Sequence, residues 1–291
     1  MNDWVVLHPM HWTTLVSAEE LVAALGQPGL AIIDARATLA DPLQGDRDYA
    51  ASHIPGAVHA NMERDLSDHS RKGHGRHPLP AADTFCRWLE LWGITPAHQV
   101  VVYDAREGAM AAARVWFMLR LLGHQHVAVL DGGYARWLDL HLPISTKTVL
   151  PNASTYQASY DAARLADPSG LLDLARPGAP LLIDARPGER FRGEVEPVDR
   201  VAGHVPGAIN RPLAMNLQAD GRFRPAAELA ASFRELLGVR DPSQIVSMCG
   251  SGITACHNLL ALEHAGLRGA RLYADSWSGW IADPARPVTR S

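Results

Sequence analysis

Ala31-Ile32-Ile33-Asp34-Ala35-Arg36 recurs 150 residues on as Leu181-Leu182-Ile183-Asp184-Ala185-Arg186. Three further pairs follow in the same order. HIPGAV (53–58) is matched by HVPGAI (204–209), VVVYDAREG (100–108) by IVSMCGSG (245–252), and LDGGYARW (130–137) by YADSWSGW (273–280). The offsets run from 143 to 151 residues. A period that long marks a duplicated domain rather than a solenoid, whose units are about 20–50 residues.

Each copy reads as strands alternating with helices. Ser17 and Glu20 fit a capping box that opens the helix EELVAAL. The runs LAIID, QVVVY and HVAVLD are apolar on both faces, as strands of a covered parallel sheet must be. The helix AAARVWFMLRLLG ends on Gly123. The expected fold is therefore α/β, with two tandem domains, each a parallel sheet with helices on both faces. Residues 1–145 form the first domain, 146–160 a polar, proline-containing linker, and 161–291 the second.

The bulk numbers exclude some classes of function. Hydrophobic residues make up 47% and charged residues 20%, as in a soluble globular protein. A net charge of -4 argues against a nucleic-acid partner held by charge. No apolar run is long enough to span a membrane, and MNDWVVLHPMHWTT lacks the pattern of a secretory signal. Three cysteines, Cys86, Cys249 and Cys256, make no disulfide framework, so a cytoplasmic location is expected.

The duplication also separates what serves the fold from what serves a site. Asp34 pairs with Asp184, Arg36 with Arg186 and His53 with His204, which marks them as structural. Cys249 pairs with Asp104, which has no thiol chemistry, so any such chemistry belongs to the second copy alone. Arg190 also lacks a twin, its partner being Ala40 or Asp48 according to gap placement. An unpaired arginine in the cysteine-bearing half suits an anionic substrate.

Cys249 falls between the strand QIVSM and a helix beginning near Ala255. Gly250 and Gly252 let the intervening loop wrap. The amides of Gly250 to Thr254, with the Ser251 and Thr254 hydroxyls, form an expected ring of donors that stabilises a thiolate. Phosphatases with a cysteine nucleophile need an arginine six residues after it, and here that residue is Ala255.

The duplicated HIPGA-type motif and the loop CGSGITAC resemble the tandem-domain rhodanese and 3-mercaptopyruvate sulfurtransferase family, over nearly the whole chain from Trp12. That resemblance implies a sulfurtransferase. Cys249 would take sulfur from 3-mercaptopyruvate as a persulfide and pass it to a thiol acceptor such as thioredoxin, a small thiol, or cyanide. Thiosulfate is the alternative donor; Gly250-Ser251-Gly252, in place of two basic residues, looks like the mercaptopyruvate type. A non-enzymatic sulfur carrier or binding module is the reading from a different class. The loop Gly250, Ser251, Gly252, Ile253 and Thr254 would cradle the persulfide, with Ser251 assisting proton movement. Arg190 matches the arginine for the substrate carboxylate, and Arg200 is a second candidate. The family's acidic residue and histidine from the first domain fall at Glu63, where aspartate is usual, and His77. The usual Asp-Gly-Ser-Trp reads Ala274-Asp275-Ser276-Trp277. No cofactor is implied. His69, His74 and His77 lack the residues to close a metal site, and Cys86, Cys256, Trp116, Trp137 and Trp280 read as core.

Overall fold

The computed structural model describes residues 10–291, and the first nine residues, on which the reading of no secretory signal bears, lie outside the described ones. In the first half, β1 (Leu15–Val16), β2 (Leu30–Asp34), β3 (Ala57–His59), β4 (Gln99–Tyr103) and β5 (Val127–Leu130) form a parallel sheet ordered β1-β5-β4-β2-β3. In the second, β6 (Leu181–Asp184), β7 (Ile209–Asn210), β8 (Ile245–Met248) and β9 (Arg271–Leu272) are parallel in the order β7-β6-β8-β9. A lone parallel bridge, Leu165 to Leu272, stands where the first sheet has β1.

Helices cover both sheets. They are α1 (Ala18–Ala24), α2 (Gln44–Ala51), α3 (Ala82–Leu91), α4 (Ala112–Leu121) and α5 (Gly133–Asp139) in the first half. The second half has α6 (Gly188–Arg192), α7 (Ala226–Leu237), α8 (Ala255–His264) and α9 (Ser276–Trp280). Ser17 and Glu20 make both bonds of the expected capping box. Residues 146–160 hold no helix or strand but are fastened along the first domain. Ser154 donates to the Ile94 and Glu90 carbonyls, and the buried Tyr156 hydroxyl meets His124 at 2.9 Å.

Each domain has one private apolar core and shares a second. Val16, Ile32, Val101 and Trp137 pack together in the first domain, and Leu182, Val246, Trp277 and Trp280 in the second. The shared core joins Val115, Trp116 and Leu119 of α4 to Leu259, Leu260 and Leu262 of α8. Every residue of α4 is buried, including two arginines. A helix apolar all round must be covered all round, and here its own strands β4 and β5 cover one side and α8 of the other domain covers another.

The duplication holds at the level of hydrogen bonds. Arg36 grips Asp34 at 2.6 Å and the Ser52 carbonyl at 2.7 Å, and stacks over Tyr134. Arg186 grips Asp184 at 2.7 Å and the Gly203 carbonyl at 2.8 Å, and stacks over Trp277. Both pairs tie the end of a central strand to the loop behind it. Trp137 and Trp280 are likewise twins, their indole N–H groups capping the Pro143 and Pro287 carbonyls.

Removing one partner of such a buried pair strands the other charge. Asp34→Ala is therefore expected to lower unfolding stability by roughly 3–5 kcal/mol, read from urea denaturation. A loss under ~1 kcal/mol would mean that the pair is not structural.

Candidate active site

The loop after β8 turns on Gly252. Its φ is +80°, and a Cβ there would lie 2.1 Å from the Ala274 carbonyl oxygen. Only glycine fits both demands. The turn aims the Gly252 N–H at Cys249 Sγ, 3.2 Å away. Of the expected ring of donors, this amide alone hydrogen-bonds the sulfur among the described residues. Ser251 looks elsewhere, to His77. Ile253 is buried, and Thr254 is the N-cap of α8 without a side-chain capping bond.

The first domain shows what this loop geometry does to an anion. Trp277 and Ser278 donate to the Cys249 and Gly250 carbonyls, as Tyr134 and Ala135 donate to those of Asp104 and Ala105. Asp104 and Cys249 are thus equivalent in space. The Asp104 carboxylate is fully buried and accepts the backbone N–H groups of Arg106, Gly108, Met110 and Ala112 at 2.8–3.2 Å. Burial pushes its carboxyl up, and these four amides oppose that. The same strand-to-helix loop in the second domain holds a sulfur.

Across the seam, the first domain supplies a histidine and a carboxylate. His77 is buried; its Nδ1 meets Ser251 Oγ at 2.8 Å and its Nε2 meets Glu63 Oε1 at 3.1 Å. Burial lowers the imidazole pKa to about 4, so the ring is neutral at pH 7. A neutral ring donating from Nε2 to the carboxylate leaves Nδ1 to accept the Ser251 hydroxyl proton. The other Glu63 oxygen holds His69 at 2.8 Å. His74 meets Asp275 at 3.2 Å, away from the Glu63 carboxylate that His69 and His77 share.

Arg190 arrives from α6. Phe191 stacks on His204 with centroids 3.8 Å apart, as Tyr49 stacks on His53 at 4.0 Å. That register makes Asp48 the counterpart of Arg190. The longer loop behind Arg190 carries its anchors: Nη2 donates to Glu196 at 2.6 Å and to Asp199 at 3.2 Å. A Cβ on Gly250 would lie 3.8 Å from Arg190 Nη1 and 2.9 Å from Arg76 Nη2. Two guanidiniums therefore stand over the loop beside the cysteine. Arg76 comes from the first domain and also pairs with Asp199. Arg200 donates to the Ile281 carbonyl and shares none of these contacts.

The chain belongs to the rhodanese-like domain family. The family model, described as a rhodanese-like domain, matches residues 17–140 and again 167–283. A probable 3-mercaptopyruvate sulfurtransferase of Pseudomonas aeruginosa is 47% identical over 277 residues, covering 94% of this chain and 97% of that protein. A putative thiosulfate sulfurtransferase, SseB, of Mycobacterium tuberculosis is 39% identical, covering 95% and 96%. Among solved structures, the 3-mercaptopyruvate sulfurtransferase SseA of Escherichia coli superposes with a TM-score of 0.77 at 33% identity, over 92% of this chain and all of that one.

Arg76 is not singled out by the sequence, and Ser276 stands there only as part of a motif, without its contact to Cys249. Arg76 neighbours His77, but nothing in GRHP tells which domain its side chain reaches. Ser276 has φ +51°, where its twin Gly133 has +57°. A non-glycine residue there is strained and needs a reason. Its hydroxyl accepts the Cys249 N–H at 3.1 Å and donates to the Tyr273 carbonyl at 3.0 Å.

The neutral His77 has a consequence for stability. An unfolded imidazole binds its proton near pH 6.5, whereas the folded one resists down to about 4. Its folded pKa is depressed, so stability falls as pH drops through that window. The unfolding free energy of wild type, minus that of His77→Gln, is expected to fall between pH 6.5 and 4. A flat difference would contradict a buried neutral ring.

Proposed function

We propose that this protein is a sulfurtransferase that moves sulfur from 3-mercaptopyruvate through a persulfide on Cys249. The observation that carries the reading is the joining of two domains at one sulfur. Cys249 lies in a loop of the second domain whose Gly252 amide meets its sulfur, and Ser251 in that loop bonds the His77–Glu63 pair of the first. A passive binding module needs no such arrangement. The names borne by the relatives from Pseudomonas aeruginosa and Escherichia coli support the same reading.

In the first half-reaction the Cys249 thiolate attacks the donor's sulfur. An S–S bond forms, the donor's C–S bond breaks, and the electron pair leaves on the pyruvate enolate. The donor's thiol proton ends on the enolate carbon, so the products are pyruvate and a Cys249 persulfide anion. Ser251 and neutral His77 are placed to accept that proton and return it, with Glu63 fixing the ring tautomer. Arg190 binds the donor's carboxylate, beside Arg76 and with its Nη1 toward the loop. Arg200 takes no direct part in this scheme, because its guanidinium is committed to Ile281. The loop Gly250 to Thr254 holds the persulfide as the equivalent loop holds Asp104. In the second half-reaction an acceptor thiolate attacks the outer sulfur and Cys249 leaves as a thiolate. Small thiols and thioredoxin-like dithiols are acceptors of the right chemistry, and neither step needs a cofactor.

Thiosulfate is the second donor. Two guanidiniums over Gly250 suit a dianion, and the Mycobacterium tuberculosis relative bears that activity in its name. Three buried free cysteines, with no helix of the described residues long and apolar enough to cross a membrane, accord with a reducing, cytoplasmic setting.

Intact-protein mass spectrometry tests the reading. Reduced protein given 3-mercaptopyruvate is expected to gain one sulfur, faster than from thiosulfate, and Cys249→Ser to gain none. Faster loading from thiosulfate would reverse the donor assignment, and no gain from either donor would leave only a binding module.

A further inference from the structure

Arg114 on α4 is completely buried and bonds no carboxylate among the described residues. Its donors all go to backbone carbonyls. Nε and Nη2 hold Leu66 at 3.2 and 2.8 Å, Nη2 also holds His77 at 2.9 Å, and Nη1 reaches across the seam to Gly252 at 3.3 Å. One guanidinium thus fastens the backbone of His77 and the backbone of the residue whose amide lies on the Cys249 sulfur. Carbonyl dipoles solvate a cation, but a buried charge with no counter-ion is costly.

Among the acidic groups whose charge would favour the Arg114 cation are Cys256, Tyr160, Cys249 and Glu63. Cys256 is fully buried, donates to the Gly252 carbonyl at 3.4 Å, and has its thiol pushed up to about 12 by burial, so it stays neutral. Burial also pushes the Tyr160 phenol up, out of range of ionisation at pH 7. The Glu63 carboxylate bonds the rings of His77 and His69. Cys249 is the acid whose sulfur meets the residue that Arg114 itself holds, with the Gly252 amide on Sγ and the Gly252 carbonyl on Nη1.

We infer that Arg114 is a positioning residue whose buried cation is balanced by the anion on Cys249, first as thiolate and then as persulfide. This rests on the reading of Cys249 as the nucleophile. It gives the chemistry an electrostatic partner from the first domain that never touches the donor. Arg190 and Arg76 attract the substrate from the open side, whereas Arg114 acts from the dry side, where a charge is screened least.

The test is the pH profile of Cys249 alkylation by iodoacetamide in wild type, Arg114→Lys and Arg114→Met, with labelling in Cys249→Ser subtracted. Circular dichroism melts establish that each variant folds. Arg114→Met is expected to alkylate about tenfold more slowly at pH 7, with its profile displaced to higher pH and its high-pH plateau unchanged. Arg114→Lys keeps the charge, so its profile is expected to stay near that of wild type even where sulfur transfer slows from lost geometry. A folded Arg114→Met with the wild-type profile would overturn the inference.

Should Arg114→Met not fold, melting of wild type against Cys249→Ser over pH 6 to 9 serves instead. A thiolate favoured in the folded state adds stability as pH rises toward the unfolded thiol's range. The wild-type advantage is expected to grow with pH, and a constant difference would overturn the proposal. A wild-type protein that takes up no sulfur from either donor defeats the functional reading instead, whatever the alkylation profiles show.

Discussion

Helices α4 and α8 bury their faces against each other, and that contact fixes where two loops from different domains meet. On one side is the Cys249 loop, which α8 continues. On the other is the segment from Glu63 to Pro78, whose backbone Arg114 of α4 holds at Leu66, His77 and Pro78. Neither domain alone contains the site. The hydrophobic area shared by the helices stabilises the domain arrangement, and the polar contacts across it then cost little further ordering.

The duplication explains why such a split site is economical in structural terms. Both loops after the central strand wrap an acidic side chain at the same place, Asp104 in one copy and Cys249 in the other. In the first copy the group is permanently satisfied by four amides and serves the fold. In the second, Cys249 keeps one amide partner, and the neighbouring Ser251 is turned outward to the other domain. Ser276 follows the same logic, filling a glycine position at some strain so that a hydroxyl reaches the cysteine backbone.

Much of this was legible in the letters, for particular reasons. Strands apolar on both faces and four ordered repeats fixed the doubled parallel architecture. Cys249 and Arg190 stood out because each lacks a twin, and the Tyr49–His53 and Phe191–His204 stacks settle Asp48 as the partner of Arg190. Glu63 and His77 were found only through the family resemblance, since no periodicity links residue 63 or 77 to residue 251. Arg76 and Arg114 were missed. The sole signal for Arg114 was a charge inside AARVWFMLRL, a run too apolar to leave one face in water. What it would bond depends on docking between domains, which local sequence does not encode. Arg200, which the family resemblance offered as a second candidate after Arg190, turns its guanidinium to the Ile281 carbonyl.

In the proposed mechanism, first-domain groups act on chemistry at a second-domain sulfur. Rapid-quench measurement of pyruvate release in a single turnover, with His77→Gln against wild type, tests it most directly. With His77 as the proton acceptor for Ser251, release is expected to slow by about 100-fold or more, while Cys249 still ends fully persulfidated. Release at the wild-type rate would contradict the claim and confine the reaction to the Cys249 loop alone.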